Sequence, residues 1–285
     1  MHLINVTGPR SIFSSTLYWK CWDVLSPQTL SHDGGGNSQG IVSMVKWTLA
    51  RYNGDARKVF SIGTSSGAMM TNVLLSSYHE VFAAGSAWAG VAFSCYASNG
   101  YAVWSDACAT GQITKTGAEW KTIVEAAYPG YHSGWRPKMQ IFHGTADTIL
   151  HPQNLQEEIK EWTAVLDLPS APVRTLADSP QSGWTTYVYG DSFTAKIAQG
   201  VDHNIQTNTT VVLDWFDLTC IGTGRFSRPA SGGRSSSMGL PATSLAAATS
   251  SKSSTSKSPT STSTSAATTA TGTTQAKYQQ CGGAT

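Results

Sequence analysis

Charge is scarce in this sequence. Asp, Glu, Lys and Arg make up 13% of its 285 residues, about half the roughly 25% of an ordinary globular protein. Nineteen basic residues against 17 acidic leave a net charge of +2. No basic stripe is present, which argues against nucleic acid as a partner. No apolar run approaches the roughly 20 residues that cross a bilayer, so no membrane span is expected. The opening "MHLINVTGPRSIFSSTLYWK" has no continuous apolar core and no small-residue cleavage site, so no export signal is visible. The five cysteines (Cys21, Cys95, Cys108, Cys220, Cys281) include no C-x-x-C pair, which disfavours a zinc ribbon or a redox motif. Large apolar side chains almost vanish from about 224 to 274, where the text is Ser, Thr, Ala, Gly and Pro. Such a stretch cannot offset the entropy of ordering its backbone.

What is there divides the chain into three parts. Residues 1–223 hold enough apolar material for one sizeable core. Residues 224–276 form a Ser/Thr-rich linker of the O-glycosylated kind, and 277–285 form a short tail. Ten Trp and ten Tyr on a weakly charged chain suit a secreted protein that meets a neutral, sugar-rich or aromatic substrate. Two N-x-[ST] sequons, at Asn5 and Asn208, fit a secretory route. An oxidising compartment and structural disulfides follow. Cys95 and Cys108, separated by a short loop, are the expected pair, and the odd count leaves one thiol free or without its partner.

Hydrophobic spacing sets out the elements. "CWDVLSPQTLSHDGGGNSQG" reads as a turn-rich loop, and Ile41, Val42, Val45 and Leu49 then recur at helical spacing. "KVFSIG" is a short buried strand. "SSGAMMTNVLLSSYHEVF" reads as a helix, and "AAGSAWAGVAFSC" as the next strand with its loop. "AEWKTIVEAAYPG" is a helix, "RPKMQIFHGTAD" a buried strand running into a polar loop, and "NLQEEIKEWTAVLDL" an amphipathic helix. "TTYVYGD" and "TAKIAQGVDH" are later strands, and "TTVVLDWFDLTC" closes as a helix. Strands alternating with helices of about a dozen residues predict an α/β fold with a mainly parallel sheet flanked by helices.

In "KVFSIGTSSGAMM", Ser65 sits within G-T-S-S-G between a strand and a helix. This is the setting of a nucleophile elbow, although the same text can be an ordinary turn. Gly63 and Gly67 would keep Cβ atoms away from a tight bend. The helix starting at Ser66 directs backbone N–H groups and its positive end at the same place. An acid and a histidine should follow in that order, each after a strand. Asp147 and His203 meet the requirement; Asp191 and Asp202 compete for the acid, and His143 and His151 for the base. Asp147 can equally be a helix cap, and His203 a surface histidine. His143, beside the same strand end as Asp147, is better placed to support that loop than to reach Ser65. "HDGGGN" (32–37) is similar to the oxyanion loop of lipases, but only about thirty residues separate it from Ser65. It reads better as the lead into the helix at Ile41, with Asp33 or Asn37 as cap. Trp88 and Trp184 can wall a substrate pocket or belong to the core.

The stretches "CWDV", "LSHDGGGNSQGIVSMV", "VFSIGTSSGAMMTNV", "AGSAWAGV", "GQITKTGAEW" and "MQIFHGTADT" together resemble fungal carbohydrate esterase family 1. That family holds acetylxylan and feruloyl esterases related to polyhydroxybutyrate depolymerases. The resemblance runs from about Lys20 to Gly224. It implies a secreted, monomeric α/β-hydrolase without metal or cofactor. Its nucleophile would be Ser65, its acid Asp147, its base His203 and its first oxyanion donor the Ser66 N–H. Xylan or arabinoxylan would be the substrate. "QAKYQQCGGAT" is similar to the opening of a fungal cellulose-binding module, with Tyr278 as one stacking ring. Three departures stand out. Asp202 replaces the usual Gly before the histidine and is expected to favour its charged form. Only about twenty residues precede "CWDV", so the family's first strands and second oxyanion donor are expected to be missing. The module stops at Thr285, so cellulose binding is expected to be poor.

Overall fold

A computed structural model describes residues 3–5, 21–98, 104–130 and 134–219. The linker, the tail with Tyr278, Cys220 and Cys281 lie outside the described residues. The strands are β1 (Leu3–Asn5), β2 (Phe60–Thr64), β3 (Ala84–Trp88), β4 (Lys138–Gly144), β5 (Arg174–Ala177), β6 (Trp184–Gly190) and β7 (Phe193–Ala198). The helices are α1 (Pro27–Leu30), α2 (Asn37–Tyr52), α3 (Ser66–Ser77), α4 (Asp106–Ala109), α5 (Gly117–Ala126), α6 (Gln153–Val165) and α7 (Thr209–Trp215).

One sheet runs in the order β1-β2-β3-β4-β7-β6-β5. Neighbours from β1 through β4 to β7 are parallel, and β6 and β5 are antiparallel additions. The central strand β4 is buried along all seven residues, as a parallel strand covered on both faces must be. Its alternate side chains part to opposite faces. Met139 and Ile141 enter a core with Ile41, Val45, Met70, Leu74, Val124, Leu155 and Trp162. Phe142 enters a second core with Phe60, Trp88, Trp184, Val212 and Phe216.

The expected helices form, with local differences. Pro27–Leu30 is a helical turn inside the stretch expected to be loop, capped by Ser26, whose side chain accepts from the Thr29 N–H. Neither Asp33 nor Asn37 caps α2; the N-cap is Gly36. Asn37 instead accepts the Asp23 N–H at 3.2 Å, and its own N–H donates to Thr29 Oγ1 at 3.0 Å. Every residue of α3 is buried. Thr116 and Glu119 close α5 with a reciprocal capping box. Cys95 and Cys108 are joined in the expected disulfide, with Cα atoms 5.7 Å apart. Cys21 is disulfide-bonded as well.

Register brings the carboxyl ends of the parallel strands to one rim: Thr64 pairs with Trp88, Trp88 with Phe142, and Gly144 with Ala198. Residues just beyond those positions crowd together, where sheets of this kind bind ligands. Phe193 pairs with Met139 at the start of β4, so Asp191, in the turn before β7, lies at the opposite rim and cannot serve as the acid.

Candidate active site

Ser65 occupies the bend between β2 and α3. Its φ of 57° and ψ of −121° form a sparsely populated combination for a residue with a Cβ. The bend is held by the Ser65 N–H donating to Trp88 O at 2.9 Å and the Met69 N–H donating to Ser65 O at 3.0 Å. Gly63 makes it sterically possible, since a Cβ there would overlap the backbone carbonyl of Gly67. The turn points the Ser65 hydroxyl away from the strand, and Ser66 begins the helix. As the first helical residue, Ser66 has an N–H with no carbonyl four residues back to bond within α3.

Asp147 follows β4 and His203 follows β7. The loops carrying them are tied together: the Ala146 N–H donates to Val201 O at 2.9 Å, and the Thr145 N–H to Ala198 O at 3.0 Å. A Cβ on Gly144 would strike Val201 O, so glycine permits this approach. His203 Nδ1 lies 2.8 Å from Asp147 Oδ2, and His203 Nε2 lies 2.9 Å from Ser65 Oγ. An ionised carboxylate only accepts, so Nδ1 carries the proton in the neutral ring, and Nε2 accepts from the Ser65 hydroxyl. The two links form one continuous line from carboxylate to hydroxyl.

Asp147 is held from several sides. Its Oδ1 accepts the N–H groups of Ile149 and Leu150, both at 2.9 Å. His143 Nε2 lies 2.7 Å from Leu150 O and 3.2 Å from Asp147 Oδ2. Because a carbonyl oxygen cannot donate, that nitrogen bears a proton. Burial alone would raise the Asp147 carboxyl, but hydrogen bonds from His143 and His203 outweigh it and hold the group well below the usual carboxylate range.

The competing candidates fall elsewhere. His143 is fully buried behind Asp147. The His151 backbone N–H donates to Ala109 O at the approach to α6. Asp202 is exposed and accepts the Asn204 N–H at 2.8 Å; the carboxylate bonded to the His203 ring is Asp147. His32 stacks on Tyr128 and bonds Glu80, and the Asp33 N–H donates to Tyr78 Oη, so the glycine-rich loop is bound into the approach to α2. The tryptophans need correction. Trp88 is 0% exposed and stacks on Phe142 at 3.5 Å, while Trp184 is 6% exposed and meets both rings edge-on. They fill the second core and do not wall a pocket.

Sequence reasoning overlooked a buried polar cluster beside the site. Glu158 and Glu161 lie in α6, the stretch expected to be an amphipathic helix, yet both are 0% exposed. Glu158 Oε1 accepts from Asn72 Nδ2 at 2.7 Å, and Glu161 Oε2 from the Phe93 N–H at 3.0 Å. Burial raises Glu158 to about 7 and Glu161 well above its ordinary value.

Residues 15–159 match the esterase PHB depolymerase family. The probable acetylxylan esterase A of Aspergillus niger is 47% identical over 199 residues, covering 69% of this chain and 65% of the relative. Acetylxylan esterase A of Aspergillus oryzae is 45% identical over 221 residues, covering 76% and 70%. The chain thus spans a little under two thirds of the Aspergillus niger relative. Among solved structures, the acetyl xylan esterase from Aspergillus awamori superposes with a TM-score of 0.69 at 43% identity, over 73% of this chain and 75% of that one. The shared architecture is the α/β-hydrolase fold. On the family match and these identities, this chain belongs to the esterase PHB depolymerase family.

Proposed function

We propose that the chain is a serine carboxylic-ester hydrolase that removes acetyl groups from xylan, with Ser65 as nucleophile, His203 as general base and Asp147 as the acid that orients it. The observation carrying this reading is the unbroken hydrogen-bond line from Asp147 through His203 to Ser65. The acetyl and xylan preferences rest on the names of the relatives.

In the proposed reaction, Ser65 Oγ attacks the ester carbonyl carbon as His203 Nε2 takes its proton. Asp147 stabilises the resulting imidazolium and remains ionised. The carbonyl oxygen becomes an oxyanion facing the Ser66 N–H; each such donor typically contributes about 10² to 10³ in rate. Collapse expels the sugar hydroxyl, which receives the proton from His203. Water activated by the same ring then attacks the acetyl-enzyme and releases acetate, restoring Ser65.

A secretory route is part of the proposal, supported by the Cys95–Cys108 disulfide. So are a Ser/Thr-rich linker over 224–276 and a tail in which Tyr278, as one stacking ring, would hold cellulose poorly. The test is Ser65→Ala, assayed on acetylated xylan, p-nitrophenyl acetate and methyl ferulate. Turnover should fall by roughly 10⁴-fold or more, and labelling by a fluorophosphonate should disappear. Retained hydrolysis would remove Ser65 from the mechanism. Faster release of ferulate than acetate by the unmutated protein would move the substrate to arabinoxylan, and inertness of the unmutated protein would favour a sugar-binding role.

A further inference from the structure

Asn208 heads the triplet Asn208-Thr209-Thr210, an N-x-[ST] acceptor sequence with no Pro in its middle position. The triplet lies on the connection between β7 and α7 that also carries His203. Thr207, Thr209 and Thr210 are exposed, and Asn208 itself is half-buried. The two ends of the Asn208 amide are used differently. Its Oδ1 accepts the Val211 N–H at 3.2 Å and caps α7. Its Nδ2 faces the exposed Gln181, whose Oε1 is 3.4 Å away, beyond the ordinary N–H···O length of about 2.7–3.2 Å. A sugar attached at Nδ2 would leave Oδ1 in place and one N–H on the nitrogen. The cap therefore survives the modification, and only the long contact with Gln181 has to adjust. Gln181 also locates the site. It stands in the turn before Trp184, which pairs with Ala198, and Ala198 pairs with Gly144. That is the rim from which the Asp147 and His203 loops depart.

We propose that Asn208 is an N-glycosylation site, which puts an N-linked oligosaccharide on the rim that holds Ser65, Asp147 and His203. The proposal goes beyond the hydrolase reading and rests only on the secretory route proposed above. The donor is an oligosaccharide joined to a lipid diphosphate in the secretory compartment. A bond forms between Asn208 Nδ2 and the anomeric carbon of the sugar. The bond from that carbon to the diphosphate oxygen breaks, and the lipid diphosphate leaves as Nδ2 gives up one proton. The Thr210 hydroxyl completes the acceptor sequence. Thr210→Ala therefore removes the site while Asn208 keeps its cap on α7. A bulky, hydrated chain at this exposed position is tolerated because no packed side chain has to move for it.

The experiment secretes the full chain from yeast behind a leader that the host supplies. Its peptides are mapped by mass spectrometry before and after peptide N-glycosidase treatment in heavy-oxygen water. In most copies Asn208 should be converted to aspartate bearing heavy oxygen, and in Thr210→Ala it should never be. Asn208 unmodified in most copies of the secreted protein overturns the proposal, as does sugar confined to the other acceptor sequence at Asn5. If the chain is not secreted, its translation alongside endoplasmic-reticulum membranes yields the same peptide map and decides. Because the leader is supplied, an unmodified Asn208 refutes the site and leaves the secretory route standing. That route is tested separately, by whether the native protein is found outside the cells that make it.

Discussion

His203 Nε2 sits 2.9 Å from Ser65 Oγ although 138 residues separate them along the chain. Two strand ends create the contact. Ser65 leaves β2 and His203 follows β7, and β3 and β4 lie between these strands in the sheet. Parallel register brings their carboxyl ends to the same rim, and the loop after β4 supplies Asp147 to the other nitrogen of the ring.

Asp147→Asn should leave the fold intact and lower kcat by about 10³ to 10⁴-fold, with a smaller effect on KM. The asparagine can present its N–H₂ to His203 Nδ1, which would place the ring proton on Nε2 and leave nothing to accept from Ser65. Steady-state kinetics on p-nitrophenyl acetate measures the change. A loss below tenfold would mean that the carboxylate does not orient the base.

Gly63→Ala should destabilise the protein by about 3 kcal/mol or more, beyond an ordinary overpacking change. The new methyl would meet Gly67 backbone, which cannot swing aside as a flexible side chain could. Urea unfolding monitored by circular dichroism measures it. Native stability with full activity would show that the bend relaxes freely.

Glu161→Gln should make stability less dependent on pH. Burial, reinforced by the Glu158 charge, raises the carboxyl well above 4.5 in the folded protein. A raised acid favours folding below its unfolded value of about 4.3, and that contribution is lost as pH climbs toward the folded value. The variant should therefore gain in Tm over the unmutated protein at pH 8 and gain less, or lose, at pH 5. An equal difference at both pH values would show that Glu161 titrates as an ordinary surface carboxyl.

Long, strongly patterned elements are legible in the sequence. The apolar residues of α2 recur every three or four positions, β4 is buried along its whole length, and β2 is buried at Phe60, Ser61 and Gly63. The strands β1 and β5 are not. β1 has only three residues. β5, "RTLA", is short and mostly exposed, and its place follows from pairing with β6. The polar stripe of α6 misled for a different reason. Helical spacing shows that Glu158 and Glu161 share a face, but it cannot say whether that face meets water or the Asn72 amide and the Phe93 N–H. Trp88 and Trp184 were ambiguous in the same way, since ring chemistry suits a core and a pocket equally.

By itself, the order of residues determined the α/β alternation, the bend at Ser65 and the short set of acids and histidines that follow strands. Those features depend on local periodicity and on the need for Gly63 beside a tight turn. Only the tertiary structure decided which acid and which histidine meet Ser65. Sheet register sends Asp191 to the far rim, turns Asp202 to the Asn204 N–H, and brings Asp147 and His203 together, because hydrogen bonding acts over about 3 Å and pairing between distant strands alone sets that distance.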